Sequence, residues 1–268
     1  MIRRDLPADG PLPARWVLIP QIEHAHLAGR LADHWGADGF APLRPRDELL
    51  WAVYHHDDGW RDWDRSPGVE LARGEPRAFT EMEVDDSLTI WSGSIDGAAR
   101  AGTLEGYLVA GHFCALARRA AAWKNADPAW PRAQEFIDHY TSHMHRWLEA
   151  WHIDDPRANT AAIAEAALAQ LQFFDSLSLW FCCFEATEPD LVPTPGGPEL
   201  SLAPEAENPR HLRLSPWPLV VERLNLEVSG TAVPVGRYAS RAELAAAPAQ
   251  PVLLHWQLQA GGRAGQKS

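Results

Sequence analysis

The chain has 268 residues, of which 46% are hydrophobic and 22% charged, with a formal net charge of −12. These are globular proportions in a chain long enough to bury a core, and the acidic balance argues against nucleic acid or an anionic membrane as partner, since either calls for a basic patch. The three cysteines, Cys114 and the adjacent Cys182 and Cys183, do not make a disulfide framework and point to a reducing, cytoplasmic setting.

The opening MIRRDLPADGPLP has no apolar core and is not read as a secretion signal. No apolar run reaches membrane-spanning length. Arg15–Gln21 reads as a short buried strand or extended lead-in. Ile22–Gly36 reads as a helix, with Leu27, Leu31, His34 and Trp35 at 3–4 spacing and Gly36 at its end. Pro45–Trp60 is a second helix, with proline near its start and Gly59 near its end. Residues 61–101 are rich in Gly, Pro, Asp and Ser. They read as a long, partly ordered connection or lid, with one short helix near Ser87–Trp91.

Thr103–Asn125 is a third helix. Asp127–His152 is a fourth, with Asp127 as N-cap and Pro128 at the first helical position. Asp154–Phe184 is a fifth and the most apolar. Glu188–Leu200 reads as a Pro/Gly linker. Beyond it Pro218–Gly230 and Pro251–Gln259 read as strands, with Ser240–Ala247 as one short helix between them. The expected fold is mainly α: a bundle of about five core helices over residues 15–187, a small antiparallel β appendage over 199–260, and a disordered tail over 261–268.

Titratable residues stand where helix periodicity calls for apolar ones. On the fifth helix Leu168, Leu171, Asp175, Leu179 and Cys182 share one face. Asp175 therefore points inward, and a buried carboxylate needs a partner. His112 shares a face with Leu108, Val109 and Leu116. His143 lies in the stripe Phe136, Tyr140, His143, Trp147, with His139 one turn before it as the rival position. His24 precedes Leu27, Ala28 and Leu31 at i+3, i+4 and i+7, and His26 is its rival. The second helix ends in Tyr54-His55-His56-Asp57-Asp58-Gly59-Trp60. Facing helices that each send a His or Asp inward are how a bundle assembles a metal site. Mixed His/Asp ligation suits Fe, Mn, Zn or Ni, as one or two ions.

This ordered set, His24, then His56-Asp57, then His112, then a histidine of the fourth helix, then Asp175, resembles the HD-domain superfamily of metal-dependent phosphohydrolases. Gln21-x-x-His24, His56-Asp57-Asp58-Gly59-Trp60, Trp91, His112 and Gln172-x-x-Asp175-x-Leu177-Ser178-Leu179 more narrowly resemble an uncharacterised bacterial family of unknown function. The resemblance covers roughly Trp16 to Phe184 and implies an HD-like helical core. It implies His24, His56, Asp57 and Asp175 as ligands of a first metal, with His112 and His143 serving a second metal or the substrate. It also implies Asp57, Asp58 or His112 as the groups that manage protons. One departure stands out. Where many HD phosphohydrolases carry a basic residue after the His-Asp pair, this chain has Asp58-Gly59-Trp60. Arg61, Arg73 and Arg77 are the nearest basic residues that could meet an anion.

The function expected from this pattern is metal-dependent hydrolysis of a small soluble substrate. Two alternatives compete. HD-like cores also hold two irons and activate oxygen, as in myo-inositol oxygenase-like proteins. A metal-stabilised binding or scaffold protein would carry the same ligands without turnover.

Overall fold

The computed structural model describes residues 1–8, 10, 13–37, 39–123 and 130–261. Its first elements are two antiparallel strands, β1 (Ile2–Leu6) and β2 (Arg15–Ile19). In β2 the run Trp16 to Ile19 is buried on both faces. Val17 and Ile19 enter the main core, while Trp16 and Leu18 join a smaller cluster with Val69, Tyr238 and Leu244. That two-sided burial is why the strand reads as a continuous apolar run instead of an alternating one.

Helices α1 (Gln21–Asp33) and α2 (Arg46–His55) follow. A short helix α3 (Arg61–Arg65) and a small hairpin of β3 (Val69–Glu70) and β4 (Glu75–Pro76) lead into α4 (Val84–Ala101). Then come α5 (Thr103–Trp123), α6 (Trp130–Asp154) and α7 (Ala161–Cys183). Of these, α1, α2, α5, α6 and α7 stand where the sequence places core helices. Thr160 caps α7 by accepting a hydrogen bond from the Ile163 amide. The expected N-cap Asp127 with Pro128 lies outside the described residues, as do Lys124 and Asn125 and all but the first residue of the expected tail.

The long connection expected over 61–101 is a correction. Its second half is the 18-residue helix α4, whose buried residues Ile90, Ser94, Ile95 and Ala98 recur at helical spacing. Gly93 and the Ser residues weaken its helix propensity and mask it in the sequence. A Cβ on Gly93 would stand 3.7 Å from Gly59 Cα, an ordinary contact, so the close approach of α4 to this turn depends on Gly59 and not on Gly93.

The remaining strands are β5 (Asp190–Val192), β6 (Leu200–Glu205), β7 (Asn208–Ser215) and β8 (Arg223–Pro234), with the short helix α8 (Arg241–Ala246) before β9 (Gln250–Ala260). They do not form an antiparallel appendage. Among the described residues one 7-stranded sheet runs β1-β2-β8-β9-β7-β6-β5, with β7 and β9 parallel. The protein is therefore mixed α/β, and the mainly α bundle with a C-terminal β appendage is overturned.

The cause is visible in the burial. β8 alternates, with Leu224, Leu226 and Val228 inward and Arg223, Asn225 and Glu227 outward. Its inner row, together with Leu254, Trp256 and Leu258 of β9, lies in the same core as Leu27 and Leu31 of α1 and Phe181 of α7. Phe181 meets Trp256 edge-on with ring centroids 5.6 Å apart. One sheet face and the apolar stripes of two helices need each other, and an appendage would leave both exposed. β2 pairs with β8 across most of the chain, Arg15 opposite Pro234 and Leu18 opposite Thr231. No helix among the described residues is long and apolar enough to cross a membrane.

Candidate metal centre

The Tyr54-to-Trp60 stretch divides its side chains by direction. Tyr54 lies over Gly29 of α1, where a Cβ would stand 2.4 Å from the tyrosine ring. His55 stacks on Trp51 with centroids 4.4 Å apart and pairs its Nδ1 with Asp58 Oδ2 at 3.0 Å. His56 and Asp57 turn inward, 0% and 4% exposed. Asp58–Trp60 form one 3-10 turn, and Trp60 is buried against Met82 and Ile90. Gly59 donates its amide to Ser94 Oγ at 2.9 Å. A Cβ there would lie 2.1 Å from the Ile90 carbonyl oxygen and 2.8 Å from the Ser94 nitrogen. Gly59→Ala is expected to destabilise the fold by about 3 kcal/mol through overpacking, read as a fall in the urea midpoint at unchanged slope.

Three elements bring the inward groups together. His24 comes from α1, His56 from the end of α2 and Asp175 from α7, all buried, and one ligand atom from each lies within 4.8 Å of the others. Asp57 touches both imidazoles, its Oδ2 2.7 Å from His24 Nε2 and 3.7 Å from His56 Nε2. His24 Nδ1 lies 2.9 Å from Ser178 Oγ. His112 of α5 stands edge-on to His56, ring centroids 5.4 Å apart, and its Nδ1 is buried without a partner.

The proton on His56 can be placed by counting donors. Its Nδ1 lies 2.8 Å from the Val53 carbonyl oxygen, which only accepts, so Nδ1 carries the hydrogen. Nε2 then points at carboxylate oxygens, with Asp175 Oδ1 3.3 Å away. That contact is an ion pair, yet Nε2 is a buried atom with no hydrogen bond.

Charge is concentrated here. Burial pushes His56 down, but the Asp57 and Asp175 carboxylates outweigh it and raise its pKa to about 9. Burial pushes the Asp57 carboxyl up, yet His56 and the hydrogen-bonded His24 hold it below its usual range. Burial also opposes the Asp175 carboxylate, and the adjoining His112 and His56 hold it well below the ordinary value. At His112 burial outweighs the pull of the Asp175 and Asp57 carboxylates, lowering it to about 4 and keeping it neutral at pH 7.

The other residues singled out in the sequence lie elsewhere. His143 sits part-exposed on α6 between His139 and Trp147, outside the mutually close group. His26 is exposed, so the rivalry on α1 goes to His24. Asp58 faces away, held by His55 and by Arg61 at 2.6 Å. Trp91 stacks on Phe113, which in turn stands edge-on to His112. Arg73 pairs with Glu75, and Arg77 pairs with Glu70 and Glu83, so these arginines are engaged with carboxylates. Cys114 and Cys183 are free thiols that burial pushes up to about 11, far from thiolates at neutral pH.

Two contributors carry no assigned role in the sequence reading. Ser178 stands three residues after Asp175, on the same helix face, and that spacing is the available signal. Gln21 stands three residues before His24, is 3% exposed, and keeps its Oε1 without a partner.

No curated protein and no solved structure matches the chain. The family comparison gives no assignment to the HD superfamily, so that resemblance rests on the ligand order alone. Residues 11–235 match the family described as "Protein of unknown function (DUF3891)", and the chain belongs to that family.

Proposed function

We propose that this DUF3891 protein holds one transition-metal ion, Fe, Mn, Zn or Ni, between His24, His56 and Asp175, and uses it to hydrolyse a small soluble substrate. The observation that carries this is the buried His56 Nε2, fixed toward two carboxylates and left without a hydrogen bond. In the metal-free protein a proton on Nε2 offsets these carboxylates; a metal ion that displaces it meets mixed imidazole and carboxylate donors, which suit these metals. When bound, the ion acts as a Lewis acid on the scissile group and favours ionisation of water.

The chain's own residues have separable tasks in this reading. Val53 holds the His56 ring so that Nε2 is presented. Asp57, hydrogen-bonded to His24, is a second carboxylate at the site and adds negative charge. His112 is neutral, buried and unpartnered at Nδ1, which leaves that ring nitrogen available for a hydrogen bond to substrate or to a water at the site. Small substrate size is supported by the closure of the site, whose most open ligand, Asp175, has a side chain only 11% exposed.

The expected result is about one metal ion per chain by elemental analysis, and about 2.7 kcal/mol of added stability at a metal concentration a hundred times Kd. A panel of small phosphoesters and amides should then show turnover that disappears in Asp175→Ala. Protein offered Mn, Fe and Zn that stays empty would overturn the metal reading; loaded protein without turnover would leave a binding protein. A two-histidine, one-carboxylate set is also the ligand pattern of non-haem iron oxygenases. Oxygen consumption by iron-loaded protein, with no hydrolysis, would favour that second reading.

A further inference from the structure

Ser178 stands where two hydrogen-bonding tasks meet. It is 0% exposed on α7, with its Oγ 2.8 Å from the Asp175 carbonyl oxygen and 2.9 Å from His24 Nδ1. The other nitrogen of His24, Nε2, lies 2.7 Å from Asp57 Oδ2. A serine hydroxyl has one hydrogen and two lone pairs, so it can donate in only one of those two directions.

Two neutral arrangements of His24 are open. In the first, Ser178 donates to His24 Nδ1, and His24 Nε2–H donates to Asp57. Every polar atom of His24 is then paired, and neither ring nitrogen is free for a metal. In the second, the Ser178 hydroxyl turns to the Asp175 carbonyl and accepts from His24 Nδ1–H. His24 Nε2 is then a bare lone pair, close to His56, whose Nδ1–H is committed to the Val53 carbonyl and whose Nε2 is the nitrogen that a metal would take in place of a proton. We infer that Ser178 is a positioning residue whose hydroxyl rotates between His24 and the Asp175 carbonyl, so that His24 gives up its Nε2–H and becomes a ligand only when a metal arrives. The inference rests on the metal reading above.

The proton count balances. The hydrogen leaving Nε2 passes to solvent, one from solvent takes Nδ1, and the ring keeps its charge. Ser178→Ala leaves Nδ1 unpartnered in both tautomers, as a bare acceptor in the first and as a buried N–H donor in the ligating one, where it also removes the partner that orients a metal-bound imidazole. The same α7 turn thus supplies both a metal ligand, Asp175, and the group that permits the second ligand, which explains why the two stand three residues apart.

The test uses full-length protein with zinc, a diamagnetic probe, and 15N NMR of the histidine rings. In wild type, His24 is expected as the Nε2–H tautomer under chelator and as Nδ1–H with zinc. Ser178→Ala is expected to bind zinc about 10- to 100-fold more weakly, the range for lost partners of metal-ligating histidines. Ser178→Thr, which keeps the hydroxyl, should restore most of the affinity. Thermal melts of the three metal-free proteins check that each folds. An unchanged His24 tautomer on zinc binding, or Ser178→Ala binding zinc within twofold of wild type, overturns the role of Ser178 and leaves the metal centre standing. Absence of zinc binding by wild type overturns both.

Discussion

Asp175→Asn is expected to lose more than about a hundredfold in metal affinity, beyond the loss typical of partners that only orient a ligand. The change keeps the size of the side chain and removes its charge, so packing of α7 against α1 and α5 is preserved. Asp175 is the one carboxylate in the mutually close group, and the two remaining donors would be imidazoles. The same substitution is expected to cost about 3 kcal/mol in the metal-free protein. Removing one member of a buried ion pair leaves the other uncompensated, and His56 would keep only Asp57, 3.7 Å away. Elemental analysis of protein purified without chelator measures the first effect, and urea unfolding under chelator the second. Wild-type metal content in Asp175→Asn would show that the ion is held elsewhere.

Stability of the metal-free protein is expected to peak near pH 6.5 and to fall on both sides. His56 has a folded-state pKa of about 9 against an ordinary 6.5. Its contribution is complete below pH 6.5 and is lost as pH rises through about 9. His112 has the opposite sense, with a folded value of about 4. Below pH 6.5 the unfolded chain takes a proton that the folded chain refuses, so stability falls between pH 6.5 and about 4. Each limb amounts to about 3 kcal/mol at roughly 1.4 kcal/mol per pKa unit. The Asp57 and Asp175 carboxylates, both held below their ordinary values, deepen the acid limb further as pH drops through their folded-state range. Urea unfolding in chelator from pH 4 to 9.5 measures the profile. His112→Gln should flatten the limb between pH 6.5 and 4 and leave the alkaline limb unchanged. A flat profile from pH 5 to 9 would mean that these groups are not ionised as a buried cluster.

Much of the candidate metal centre is legible in the sequence. His24, His56, Asp57, His112 and Asp175 stand out there by their place on or beside apolar helical faces, and all five are buried. The rivalry of His24 and His26 is decidable in the same way, since a two-residue step turns a helical side chain to a different face. His143 shows where periodicity stops. It lies in the α6 stripe with Phe136, Tyr140 and Trp147, its ring meets Tyr140 and Trp147 of its own helix, and it is not in the mutually close group of His24, His56 and Asp175. Periodicity says that a residue faces its helix's neighbours, and it does not say which neighbours. Ser178 is hidden for another reason. A serine in a helix has many harmless uses, and only the arrival of His24 from α1 gives its hydroxyl a task.

The fold is less legible than the site. The strands β8 and β9 are recognisable from their composition, but their partners are not, because β2 lies more than two hundred residues before the strand it pairs with. The alternation in β8 states that one face needs cover and is silent on what covers it. Helix phase is a local property, set by backbone geometry within a few residues, so the sequence alone determined which side chains turn inward on α1, α2, α5 and α7. Whether those side chains meet, and whether the strands close into one sheet beneath them, depends on long-range pairing that no local pattern encodes. That was decided by the shared core of Leu27, Leu31, Phe181, Leu226 and Trp256, which the tertiary structure assembles because the inner sheet face and the helix stripes are each apolar and neither can be left in water.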